Sequence, residues 1–244
     1  MERKPSAGFD TTHWSLILAL PDRGDDAAAG RAQEALAHLC AAYWRPLYAF
    51  ARYRGHNPED ARDLTQAFLT RVIETRGLGS ADPERGRFRS YLLGAMKHFL
   101  ANERDRARAV KRSGGHRFVG VDIGEMESRI AAHTIGPTDA DRAFDRDWAR
   151  ETTGAALSAL AAEWADRGRA HQFEALRPAL TGEMSARPEL AARLDMTPNA
   201  IKVAIYRLRR RYAALVRQAV TQTVADPADV EDEMRYLVDV LREK

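Results

Sequence analysis

"LAARLDMTPNAIKVAIYRLRRRY", residues 190–212, reads as two short amphipathic segments meeting at Asp-Met-Thr-Pro. Leu190, Ala191 and Leu194 form one apolar stripe, because residues three or four apart share a helix face. Thr197 can cap the next helix, and Pro198 suits its first position, where a missing N–H leaves no bond unmade. That second helix runs from Pro198 past Val216, to about 221, with Ile201, Ile205, Leu208, Tyr212 and Leu215 on its inner face. Every charge from Lys202 to Arg217 is positive. A face that is merely solvated normally mixes signs. The pattern is therefore read as a helix-turn-helix that meets a polyanion.

Working outward, the rest of the chain also reads as helical, and no stretch sustains a period of two. The fold class expected is all-α: two helical modules joined by a flexible linker, the second of them the helix-turn-helix. A helix is expected from about Arg31 to Tyr53, with Ala35, Leu36, Leu39, Tyr43, Leu47 and Phe50 inward and Gly55 as its stop. In "HNPED" Asn57 caps, Pro58 takes the first position, and Glu59 and Asp60 favour the positive helix end. That helix ends near Glu74. "RGLGSADPERG" is a loop punctuated by Gly and Pro. A third helix spans about 88–108. Residues 113–138 hold five glycines and no helical period, and read as a linker. Helices are expected again at about 139–166, 170–180, 187–194 and 198–221. A last one at 227–242 would place Val230, Met234, Leu237 and Leu241 on one side.

Charge is patterned rather than uniform. The net charge is only +3 over 244 residues. Residues 104–117 carry Arg104, Arg106, Arg108, Lys111, Arg112 and Arg117 against Asp105, whereas the tail from Asp226 is acidic. Two separated basic patches imply two contacts with a polyanion. Cys40 is the one cysteine, which excludes an internal disulfide and suits a reducing, cytoplasmic compartment. The apolar run Trp14–Leu20 is too short to span a bilayer, and no cleavable leader is read, so neither membrane insertion nor export is expected. The seven histidines are scattered, and neither a phosphate-cradling glycine loop nor a Gly-x-Ser-x-Gly elbow occurs. Paired acids such as Asp25–Asp26 sit in surface-like stretches. Catalysis, metal and cofactor are all expected to be absent.

The order of parts carries a resemblance. "PEDARDLTQAFLTRVIE" comes first, "GRFRSYLLGAMKHFLANERDRARAVKR" follows, then the linker and the helix-turn-helix. This arrangement, over about residues 31–217, resembles an extracytoplasmic-function sigma factor of bacterial RNA polymerase. The resemblance implies an N-terminal extension at 1–30 and region 2 at 31–112, binding the polymerase core and the minus-ten element. It implies a linker at 113–138, region 4 at 139–221 reading the minus-thirty-five element, and an acidic C-terminal helix at 222–244. The partners implied are promoter DNA and the polymerase core, through its β′ and β subunits. An anti-sigma factor or a Ser/Thr kinase would be a further partner.

The resemblance assigns residues too. "DARDLTQ" matches the core-binding segment, so Asp60, Arg62, Asp63 and Gln66 are expected to face the polymerase. Arg62 stands where the family usually has an acid. Ala61, Leu64, Phe68 and Val72 should face inward. Thr65 is a candidate phosphosite, because a phosphate would replace the missing acidity. The wheel also places it on the flank of the inner stripe, where half-buried packing is the default. On the third helix Arg89, Tyr91, Lys97, Asn102, Arg104, Arg106 and Arg108 are the expected contacts for melted minus-ten DNA. Phe88 and Phe99 are read as core. In the helix-turn-helix, Thr197, Asn199, Ala200, Lys202, Val203 and Arg207 should enter the major groove. Arg209, Arg210 and Arg211 should grip phosphates. Two other readings stay open: an autonomous helix-turn-helix regulator of operator DNA, and a helical adaptor using its acidic tail.

Overall fold

The computed structural model describes residues 26–74, 87–109, 127, 130, 139–182 and 187–243. The apolar run Trp14–Leu20, the loop before Arg87 and nearly all of the expected linker 113–138 lie outside the described residues. The fold is all-α. Its helices are α1 (Asp26–Tyr53), α2 (Pro58–Glu74), α3 (Phe88–Ala109), α4 (Ala140–Asp166), α5 (Ala170–Leu176), α6 (Pro178–Thr181), α7 (Arg187–Leu194), α8 (Pro198–Thr221) and α9 (Val230–Arg242). Two compact units result: residues 1–149 with 221–244, and residues 150–220.

In the first unit α1 ends where the sequence places a stop. Gly55 takes φ 92°, the His56 N–H donates to the Ala51 carbonyl at 3.2 Å, and the Gly55 N–H donates to Arg52 at 2.9 Å. This paired closure satisfies carbonyls that the helix end would otherwise orphan. Asn57 restarts the chain: its side-chain oxygen accepts the Asp60 N–H at 2.8 Å. The core is aromatic. Tyr43 lies 5.2 Å from Phe88, Phe50 is 6.3 Å from Phe144, and Phe68 is 5.6 Å from Phe99.

The C-terminal segment belongs to this same unit. Arg87 and Val224 form an antiparallel bridge, and the Phe88 N–H donates to the Thr223 carbonyl at 3.0 Å. Val224, Val230, Leu237 and Val240 are buried. The expected inner stripe of α9 is thus corrected: Leu241 is exposed, and Glu233 and Val240 turn inward instead. The cause is electrostatic, since Glu233 faces the buried Arg89.

The second unit packs Leu160, Phe173, Leu176, Ala179, Leu190, Leu194, Ile201, Ile205 and Leu208 into one core. The helix expected over 170–180 is broken into α5 and α6. Pro178 is the reason, because it has no N–H to continue the ladder. After α7 the chain turns through Asp195 at φ 49°. The Met196 N–H donates to Ala191 at 3.0 Å, giving the same kind of closure as at Gly55 with a non-glycine residue in the left-handed position.

Candidate nucleic-acid interface

The geometry of α8 follows from its cap and its core. Thr197 Oγ1 accepts the Ala200 N–H at 3.2 Å, so the expected N-cap is made and that oxygen is already engaged. Ile201, Ile205 and Leu208 are buried. At roughly 100° per residue, Asn199, Val203, Tyr206 and Arg210 fall within about 60° of one another on the opposite side. Lys202 and Arg207 flank that stripe. Asn199, Lys202, Arg207 and Arg210 are exposed, and Ala200 is half-buried. Val203 is 39% exposed and Tyr206 64%. Among the described residues Lys202, Arg207 and Arg210 make no ion pair. The face is therefore basic at its edges and carries an apolar centre.

Two of the three consecutive arginines do not belong to it. The Nε and Nη2 of Arg209 donate to the Ala179 carbonyl at 3.0 and 2.7 Å. They satisfy an oxygen in the last turn of α6. The Nε of Arg211 donates to both carboxylate oxygens of Glu163, at 3.1 and 3.0 Å. That pair holds the Glu163 carboxyl below its usual range, chiefly by hydrogen bonding. The expectation that Arg209, Arg210 and Arg211 all grip phosphates is corrected for Arg209 and Arg211, whose guanidinium groups are engaged within their own unit. Tyr206 was absent from the expected set. Its spacing, three residues after Val203 and four before Arg210, is the signal that places it on the face.

On α2 the inward set is as expected, with Ala61, Phe68 and Val72 buried and Leu64 partly so. Asp60, Arg62 and Asp63 are exposed, and Gln66 is half-buried. Asp60 also accepts a hydrogen bond from the Asn57 amide at 2.9 Å. Thr65 has no exposed surface, and its hydroxyl donates to the Ala61 carbonyl at 2.7 Å. The phosphosite reading is therefore corrected, because a kinase would meet no accessible hydroxyl in this fold. The packing default is what the structure shows, in a fully buried form.

On α3 Phe88 and Phe99 are core, as read from the sequence. Tyr91 is half-buried, and Asn102 and Arg104 are exposed. Arg104 donates to the Arg54 carbonyl at 3.0 Å, and Lys97 pairs with Asp141. Arg106 and Arg108 fall within α3, but their side chains lie outside the described residues. Arg89 is the clear correction. Only 6% exposed, it donates to Glu233 at 3.0 Å and to Asp145 at 2.5 Å. Its guanidinium carbon lies 4.3 Å from the Tyr236 ring centroid and 5.0 Å from that of Trp148. Burial works to lower its pKa, but the hydrogen bond and charge of Glu233, with the charge of Asp145, raise it overall. Tyr236 donates to Asp145 at 2.5 Å, and burial with that bond pushes the phenol up to about 12. Arg89 thus joins α3, α4 and α9 and is buried among them rather than offered to DNA. The acids that hold it come from distant parts of the chain, so no local pattern could reveal them.

Among the described residues no cluster of His, Cys, Asp and Glu could hold a metal ion. No described helix is long and apolar enough to cross a membrane.

Residues 39–110 match the family described as Sigma-70 region 2. The match covers the second half of α1 and all of α2 and α3. No curated protein and no solved structure matches the chain.

Proposed function

We propose that the chain is a sigma factor of the extracytoplasmic-function type, directing promoter-specific initiation by a bacterial RNA polymerase. The region 2 match over 39–110 is the observation that carries this reading. Asp60, Arg62 and Asp63 are exposed on α2 and form the surface offered to the polymerase core. Asn102 and Arg104, exposed on α3, are the contacts offered to the minus-ten element. The helix-turn-helix of the second unit acts as region 4 and presents Asn199, Lys202, Val203, Arg207 and Arg210 to the minus-thirty-five element. An autonomous operator-binding regulator would use the same α8 face. It would have no use for a region 2 module, which is why the sigma reading is preferred.

The test is reconstituted transcription. Core polymerase with the full chain should initiate at specific promoters, and core polymerase alone should not. Asp60→Arg with Asp63→Arg should abolish assembly with the core while leaving the fold intact. Initiation that is equally specific without the chain refutes the reading. Binding of duplex DNA with no affinity for the core polymerase favours the operator-binding regulator.

A further inference from the structure

We propose that Tyr206, with Val203 beside it, is the specificity-determining pair of the α8 face, and that it reads the 5-methyl groups of thymine in the major groove. The inference rests on the reading that the second unit binds duplex DNA, and adds which chemistry it selects. Among the described residues the exposed large hydrophobic side chains are Val203, Tyr206, Val238 and Leu241. Two of these four are neighbours on α8, at the centre of a face whose other side chains are Asn199, Lys202, Arg207 and Arg210. Their place at the centre of a basic face, rather than their exposure alone, suits them to an apolar group on the partner that the surrounding charges attract. Every charge on the helix from Lys202 to Arg217 is positive, so the partner that fits is a polyanion.

Within the major groove, thymine is the base that offers an apolar group, its C5-methyl, while the other exposed edges are donors and acceptors. Val203 can contact such a methyl but cannot hydrogen-bond to a base. Tyr206 presents its ring three residues on, about 4.5 Å further along the helix axis. That rise is comparable to the step between neighbouring base pairs, about 3.4 Å. The two side chains can therefore meet methyls at adjacent or near-adjacent positions. Lys202 and Arg207, on either side of the stripe, are placed to hold the flanking phosphates, which fixes the register without selecting sequence.

The test uses the full chain assembled with core polymerase and a pool of duplexes randomised upstream of the melted segment. Selected duplexes should carry thymine at fixed positions. Replacing those thymines with deoxyuridine removes only the methyl groups, and should weaken binding about fourfold for each methyl that is contacted. Tyr206→Ala should bind the thymine and deoxyuridine duplexes alike at one position, and Tyr206→Phe should keep the discrimination. Because Tyr206 is 64% exposed, its variants should melt at the temperature of the unaltered chain. Equal binding of the two duplexes by the unaltered chain overturns the proposal. So does a Tyr206→Ala variant that keeps the full discrimination. Uniform weakening on all duplexes also overturns it, by marking the ring as a contact to polymerase or to the DNA backbone. Failure to assemble with the core, or to select any sequence, refutes instead the function proposed above.

Discussion

At the residue scale, the basic side chains of α8 differ in what they touch, and substitution separates Arg209, bonded within its own unit, from the exposed Lys202 and Arg207. Arg209→Ala strips both hydrogen bonds from the Ala179 carbonyl. It should destabilise the second unit by about 1–3 kcal/mol, measured by urea unfolding. Lys202→Ala and Arg207→Ala remove no internal contact. They should leave stability unchanged within about 0.5 kcal/mol while weakening DNA binding and flattening its salt dependence. Asp195 carries a second prediction. At φ 49° it occupies a conformation that a side chain disfavours. Asp195→Gly should therefore stabilise the turn by about 0.5–1 kcal/mol, seen as a higher melting temperature, and Asp195→Val should lower it.

At the scale of elements, the joint around Arg89 ties α3 to α4 and α9. Arg89→Met leaves Glu233 and Asp145 buried without their shared cation, although Arg87 still reaches Glu233 at 3.2 Å. The expected loss is about 3–5 kcal/mol in urea unfolding, the usual result of orphaning one side of a buried ion pair. Arg89→Lys should recover only part of it, because an ammonium cannot fork between two acids. A second joint is more exposed. Glu127 accepts from Arg52 at 2.8 and 2.9 Å and from Tyr48 at 2.5 Å. The Arg52 hydrogen bond, foremost, holds the Glu127 carboxyl below its ordinary value of 4.5. A carboxyl depressed in the folded state contributes stability above its unfolded pKa, and loses it as the pH falls through the lower folded value. Glu127→Gln should thus be less stable than the unaltered chain by about 1 kcal/mol at neutral pH. The gap should close as acid takes the pH below 4.5.

At the scale of the whole molecule, chain order and unit membership differ. Residues 221–244 follow the helix-turn-helix in sequence but belong to the unit formed by residues 1–149. A chain ending at Val220 should lose the burial of Val224, Val230, Leu237 and Val240 and leave Arg89 without Glu233. We expect the unfolding transition of the first unit to fall by at least about 3 kcal/mol, since one buried valine or leucine is worth roughly 1.5–3. Residues 150–220 keep their own core, so their transition should hardly move. Calorimetry of the full and shortened chains checks both statements.

What was legible in the sequence was local. The caps at Asn57 and Thr197, the stop at Gly55, the inward stripes of α2 and α8, and the basic face with Lys202 and Arg207 all depend on neighbours within a turn or two, whose spacing the sequence displays directly. The likeness to Sigma-70 region 2 was legible for the same reason, because "PEDARDLTQAFLTRVIE" and the helix after it are contiguous segments. Tertiary structure alone decided which charges are spent internally. Arg89 reaches an acid 144 residues away, Arg211 one 48 residues away, and Arg209 a carbonyl 30 residues away. A helical wheel gives the direction of a side chain but not what another part of the chain brings to meet it. It could therefore place Thr65 at the flank of a stripe without showing it fully covered, and give α9 an apolar side without showing that Glu233 would be drawn inward to Arg89.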